Sequence, residues 1–160
     1  MTIQVGDRIP SATLLKATAD GPEPVETQSF FAGRKVALFS VPGAFTPTCS
    51  VRHLPGFVER ADELKAKGVD EVACVAVNDA FVLRAWAESA GAEDKVTMLA
   101  DGNGELGRAL GLTMDASKFG MGERGQRWSA IVEDGVVKAL NVEAPGAFSV
   151  SSADHLIGQL

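Results

Sequence analysis

The chain carries only two cysteines, Cys49 and Cys74. That scarcity argues against a secreted, disulfide-built scaffold, which would rest on several bridges. A reducing compartment, the cytoplasm, is expected instead, with both thiols free for chemistry. Positive charge is also in deficit: 15 Lys and Arg face 21 Asp and Glu, for a net charge of −6 and a pI near 4.9. Nucleic acid and anionic lipid both present negative phosphate, so neither is an expected partner. No apolar run approaches the roughly 18 residues that span a bilayer. The opening Met1-Thr-Ile-Gln-Val-Gly-Asp7 lacks the basic flank and apolar stretch of a secretory leader. There is no internal repeat, low-complexity tract or linker. A 46% hydrophobic content over 160 residues suits one domain with one sizeable core, residues 1–160.

What is present is a succession of short β-branched runs. Val36–Val41, Val72–Val77 and Val96–Ala100 are apolar, brief and bounded by polar residues, as buried strands are. Between them, His53–Lys67 carries Phe57, Ala61 and Leu64 at helical spacing, and Ala80–Ala90 carries Leu83, Trp86 and Ala87. This alternation predicts an α/β fold whose centre is mostly parallel. Asp134-Gly135 between Trp128–Glu133 and Val136–Val142 predicts a tight hairpin, because both turn residues take positive φ. A last helix is expected to start at Ser151 or Ser152 as N-cap and run through Leu156 and Ile157. The order matches a thioredoxin-like core: a central mixed sheet flanked by helices, with an N-terminal extension and a C-terminal hairpin plus helix. Ala19-Asp-Gly-Pro-Glu-Pro24 is expected to be a surface turn.

Cys49 lies where the Val36–Val41 strand has ended and a proline-rich turn, Pro42-Gly-Ala-Phe-Thr-Pro-Thr48, feeds a helix. Pro42 and Pro47 restrict the turn, and Thr46 or Thr48 is expected to cap the first helical turn. There the free N–H groups and the helix dipole favour an anion, so a thiolate, the nucleophilic form, should form readily. A substrate under attack by a thiolate needs hydrogen-bond donors and stabilisation of the leaving group. Thr46 offers a hydroxyl, and the N–H groups of Thr48 and Cys49 offer more. The missing positive charge is sought in Arg124-Gly-Gln-Arg127. Trp128 is expected to pack behind Arg127, and Phe45 and Phe119 to supply apolar walls to the site.

Pro42-x-x-x-Thr46-x-x-Cys49 resembles the active-site signature of the peroxiredoxins. The longer Val41–Ser50 segment with His53-Leu-Pro-Gly-Phe57 is similar to the type II or peroxiredoxin-5 subgroup, as are Val5–Pro10, Val77–Phe81 and Asp134–Glu143. The resemblance implies a thiol-dependent peroxidase acting on hydrogen peroxide and alkyl hydroperoxides, with no metal and no other cofactor. Cys49 would be the peroxidatic cysteine, Thr46 and Pro42 would shape the pocket, and Arg127, ahead of Arg124, would be the active-site arginine. Cys49 would pass through a sulfenic acid that a second thiol must reduce. Some members carry a resolving cysteine in the late loop, but Ala147-Phe-Ser-Val150 has none here. Cys74 sits inside an apolar strand and reads as a small buried hydrophobe. An external reductant, glutaredoxin with glutathione or thioredoxin, is therefore expected, and the family's habit implies a homodimer.

Three other readings compete. His53, four residues after Cys49 on the same helix face, could make a Cys-His pair of hydrolase type, although the resemblance places it at a pocket edge or dimer contact. Cys49 could serve as a redox-sensing switch. A disulfide reductase is disfavoured, because Thr46 stands where a Cys-x-x-Cys motif needs its first cysteine. Gly120-Met-Gly-Glu-Arg-Gly125 lacks the Gly-Lys-Ser/Thr ending of a phosphate loop, and Asp101-Gly-Asn-Gly-Glu105 is too short for a calcium loop.

Overall fold

The computed structural model describes residues 2–160. Its centre is a seven-stranded sheet. In chain order the strands are β1 (Thr13–Thr18), β2 (Gly21–Glu26), β3 (Lys35–Val41), β4 (Glu71–Ala76), β5 (Thr97–Ala100), β8 (Trp128–Glu133) and β9 (Val136–Val142). They lie side by side as β2-β1-β5-β4-β3-β8-β9. A separate ribbon pairs β6 (Thr113–Asp115) with β7 (Glu123–Gly125). The helices are α1 (Thr27–Phe31), α2 (Leu54–Ala66), α3 (Ala80–Ala90), α4 (Glu105–Leu110) and α5 (Ala153–Ile157).

Of the sheet's six pairings, only β3 with β4 and β4 with β5 are parallel; the other four are antiparallel. The expected parallel arrangement is therefore confined to the three middle strands, β5-β4-β3, and the sheet as a whole is mixed. The difference arises at the N-terminus. In Ala19–Pro24 only Ala19-Asp20 is the expected surface turn; Gly21–Pro24 belongs to β2, which forms a hairpin with β1, and β1 then pairs antiparallel with β5. Pro22 and Pro24 fit because β2 is the edge strand, so the missing N–H groups disrupt no central ladder. At the other end Asp134 (φ 50°) and Gly135 (φ 80°) make the expected hairpin turn.

Strand alternation divides the apolar residues between the two faces of the sheet. Ala37, Phe39 and Val41 of β3 and Val72, Cys74 and Ala76 of β4 face α2, α3 and α5, where they meet Phe57, Leu64, Leu83, Trp86 and Leu156. Phe39 and Phe57 stack with centroids 4.1 Å apart. The opposite face, with Val36, Leu38, Ala73 and Val75, is covered by Phe30 and Phe31 of α1, Leu106 and Leu110 of α4, and the N-terminal arm. Cys49 belongs to the first of these cores, and that places the site at the end of β3 on the α2 side.

Candidate active site

The helix that carries Cys49 begins at Pro47, before α2 proper, and Cys49–His53 adopts a π-helical turn. The cause lies in the sequence. Pro55 has no N–H to donate, and its ring would crowd the carbonyl of Val51 in a regular α-helix. The wider segment, in which the Leu54 N–H reaches the Cys49 carbonyl five residues back, relieves that conflict. The first regular bond is Ser50 N–H to Thr46 O, 2.9 Å, which leaves the N–H groups of Thr48 and Cys49 without i−4 partners in the helix.

Neither threonine caps this turn through its side chain, contrary to expectation. The Thr46 hydroxyl donates instead to the Gly43 carbonyl, 2.7 Å away. Its proton is committed there, which leaves the Thr46 oxygen free to accept rather than donate as anticipated. The turn is braced from two sides. The Ala44 N–H donates to Asn78 Oδ1 at 2.9 Å, and Arg124 Nη1 donates to the Pro42 carbonyl at 3.3 Å.

Of the two arginines in the Arg124–Arg127 segment, Arg127 is the one that meets the sulfur. Its Nη2 donates to Cys49 Sγ at 3.0 Å, and its Nη1 to His53 Nδ1 at 2.8 Å. The backbone places it there by alternation. Trp128, Ala130 and Val132 face the α1/α4 side, so Arg127 points to the opposite, Cys49 side. For the same reason Trp128 does not pack behind Arg127, as had been expected. That service falls to Phe148, whose ring centroid lies 6.0 Å from the Arg127 guanidinium, 4.6 Å from that of Arg52 and 5.1 Å from the His53 ring. Phe148 was missed in the sequence because a lone aromatic in a loop has no periodicity to betray it.

His53 is fully buried, neither at a pocket edge nor on an exposed contact surface. A guanidinium only donates and a carbonyl only accepts, so its tautomer is fixed. Nδ1 accepts from Arg127, and Nε2–H donates to the Ser151 carbonyl, 2.9 Å away. Burial first, then the Arg127 charge, pushes its pKa down to about 3; the Ser151 carbonyl and Glu143 only partly offset them. Both nitrogens are occupied and neither faces the thiol, so the Cys-His hydrolase reading is withdrawn. His53 instead orients the arginine that meets the sulfur.

Pro42, Thr48, Phe119 and Arg127 line a cleft of about 520 Å³, whose other walls include Met114 and Ala147. Phe45 does not line it. That residue takes a left-handed turn conformation (φ 62°) that sends its ring outward, 55% exposed. Cys74 is buried in β4 with its thiol pushed well up by burial, which Cys49 reinforces and Arg127 opposes. No disulfide joins it to Cys49; both thiols are free and buried. Among the described residues no cluster of His, Cys, Asp and Glu is suited to a metal ion, and no helix is long and apolar enough to cross a membrane.

The Redoxin family model matches residues 4–157. The chain is 56% identical to Peroxiredoxin-2E-2, chloroplastic, of Oryza sativa subsp. japonica over 99% of this chain and 73% of that protein. It is 46% identical to Peroxiredoxin-2B of Arabidopsis thaliana over 99% and 98% of the two. Among solved structures, reduced Prx3 of Vibrio vulnificus in complex with H2O2 superposes with a TM-score of 0.95, 51% identity and 99% coverage of both chains. The fold, the Cys49 turn and these relatives agree: the chain belongs to the type II peroxiredoxins and is a thiol-dependent peroxidase.

Proposed function

We propose that Cys49 is the peroxidatic residue and that Arg127, Thr46 and Pro42 complete its site. The observation that carries this reading is the Arg127 Nη2 to Cys49 Sγ contact of 3.0 Å beside the cleft. The Cys49 thiolate attacks the terminal oxygen of ROOH; the S–O bond forms as the O–O bond breaks. The departing RO⁻ gains a proton and leaves as alcohol or water, and Cys49 is left as sulfenic acid. Thr46 receives a hydrogen bond from the peroxide, while Arg127 and the free N–H groups of Thr48 and Cys49 stabilise the oxygen that gains charge. Pro42 shields the reacting atoms from water.

Hydrogen peroxide and alkyl hydroperoxides are the proposed substrates. The Vibrio vulnificus structure with H2O2 supports the first. The apolar cleft, with Pro42, Met114 and Phe119 in its walls, suits the carbon chain of the second. An external thiol, from glutaredoxin with glutathione or from thioredoxin, condenses with the sulfenic acid to a mixed disulfide and water, and a second thiol releases Cys49. Phe45 and Phe81, 55% and 71% exposed, supply apolar surface for a homodimer. Stopped-flow oxidation of the reduced protein by H2O2 and by cumene hydroperoxide, followed by turnover with each reductant, tests the proposal. Cys49→Ser should lose the fast phase entirely; an undiminished fast phase would refute it.

A further inference from the structure

Glu143, directly after β9, is a buried carboxylate in the wall of the cleft. It is 7% exposed, and no Lys or Arg among the described residues pairs with it. A buried carboxylate without a cation is costly unless hydrogen bonds replace its water. Here they do. Oε2 accepts from the backbone N–H of Ser149 (2.9 Å), Val150 (2.9 Å) and Ser151 (2.8 Å) and from the Ser151 hydroxyl (2.6 Å), while Oε1 faces the Ser149 hydroxyl at 3.5 Å. Three successive N–H groups converging on one oxygen form a concavity that holds an anion.

The bonds continue beyond the clasp in both directions. Ser151, held through its N–H and its hydroxyl, presents its carbonyl to His53 Nε2–H; His53 Nδ1 receives Arg127 Nη1; and Arg127 Nη2 reaches Cys49. Glu143 also returns to Arg127 directly, its own N–H donating to the Arg127 carbonyl at 3.0 Å. One residue thus holds both ends: its backbone N–H ties the backbone of Arg127, and its carboxylate fixes the Ser151 carbonyl that sets the histidine against which the guanidinium rests. The same clasp shapes the loop whose Ala144, Pro145, Gly146 and Ala147 wall the cleft.

We infer that Glu143 is a positioning residue for peroxide reduction, aiming the Arg127 guanidinium at the Cys49 sulfur through the 149–151 backbone and His53. The inference rests on the assignment of Cys49 and Arg127 made above. Loss of the clasp lets the Ser151 carbonyl turn away from His53, and the guanidinium loses one of its two fixed contacts. A misplacement of about 1 Å in a group that stabilises the reacting atoms costs up to about 100-fold in rate.

The test measures the second-order rate constant for oxidation of reduced protein by H2O2 in stopped flow. The phase amplitude gives the folded fraction and the rate constant its reactivity, so weakened folding and lost positioning are read separately. Glu143→Ala should slow oxidation about 10- to 100-fold. Glu143→Gln, which keeps an oxygen acceptor in the clasp, should recover most of the loss, and Glu143→Asp, one methylene short, should fall between. In ¹⁵N spectra the His53 ring should show the Nε2–H tautomer in the wild type and lose that signature in Glu143→Ala. Added to Arg127→Ala, Glu143→Ala should slow the reaction less than about twofold further, because its effect runs through Arg127. A wild-type rate in Glu143→Ala with an unchanged His53 spectrum would overturn the inference while leaving the peroxidase intact, as would full additivity with Arg127→Ala. Equal rates for wild type and Cys49→Ser would instead overturn the assignment beneath it.

Discussion

His53 makes the site acid-labile, and the size of the effect follows from its two hydrogen bonds. The ring is neutral in the folded protein, with its pKa down at about 3 against an ordinary value of 6.5. Between those values the unfolded chain binds a proton that the folded chain refuses. Stability is therefore fully present above pH 6.5 and falls as the pH drops toward 3, at about 1.4 kcal/mol per pH unit once well below 6.5. From pH 7 to pH 5 the loss from this one residue comes to about 2 kcal/mol. With a urea m-value of about 2 kcal/mol per molar, that lowers the unfolding midpoint by about 1 M. The control is His53→Gln, whose amide can donate to the Ser151 carbonyl and accept from Arg127 but does not titrate. Glu143 and Asp115 are both held below the ordinary carboxylate range and titrate at lower pH. For Glu143, hydrogen bonds from Ser151, Ser149 and Val150 outweigh the upward push of burial; for Asp115, bonds from the Ser117 hydroxyl and backbone N–H do so. Asp101, raised by burial, runs the other way, and all three are common to both proteins. Urea curves at pH 7 and pH 5 should thus differ by about 1 M more in the wild type than in His53→Gln. Equal shifts in the two proteins would refute the buried neutral ring.

Arg127→Lys keeps a charge but cannot serve Cys49 Sγ and His53 Nδ1 together, and should cost about 100- to 1,000-fold in the rate of thiol oxidation by H2O2. Cys74→Ser should leave turnover with thioredoxin, glutaredoxin and glutathione unchanged, because its thiol lies in the strand core, where burial pushes its pKa up and holds it protonated; loss with one reductant would make Cys74 a resolving residue. Phe119→Ala, at the 75%-exposed mouth of the cleft, should lower kcat/KM for cumene hydroperoxide about 10-fold while leaving H2O2 alone, and equal losses on both would place the organic group elsewhere. Phe81→Glu should shift the protein from dimer to monomer in sedimentation velocity, and an unchanged dimer would place the contact away from this exposed ring.

Most of the frame was legible where one periodicity dominates. β3, β4 and β5 read as apolar runs because both faces of the sheet are covered, and Asp134-Gly135 announced its hairpin by turn chemistry. The N-terminal hairpin was hidden because prolines that forbid a central strand are tolerated on the edge that β2 occupies. In the site, Pro42, Thr46 and Cys49 lie within one motif of local spacing, whereas Arg127, 78 positions from Cys49, was singled out from Arg124 only by the family resemblance. Three facts were illegible because they depend on contacts across the fold. The Thr46 proton is spoken for by Gly43, Phe148 takes the role given to Trp128, and His53 is bound between Arg127 and Ser151, residues 74 and 98 positions away. Glu143 escaped for the same reason: one acidic residue after a strand looks like any solvated strand end until the loop folds over it.

The proposed cycle makes opposite demands on the first helical turn. Cys49 is 0% exposed, which suits attack on a small peroxide but bars a protein thiol, whose sulfur must come within about 2 Å to form the mixed disulfide. Residues 47–53 must therefore open after oxidation. The turn is held by Ser50 N–H to Thr46 O, by Trp86 Nε1–H to Ser50 Oγ at 3.0 Å, and by the Arg127 contact with the sulfur. Only the last depends on the redox state. A hydrogen bond to a thiolate is charge-assisted and about twice as strong as one to a neutral partner, so conversion to a neutral sulfenic acid weakens that anchor. The π segment, already without the regular i−4 ladder, is where the helix has least to lose. Oxidation thus loosens the element that must move, and a small thiol such as glutathione, which needs less opening than a protein reductant, should gain least from substitutions that loosen it further.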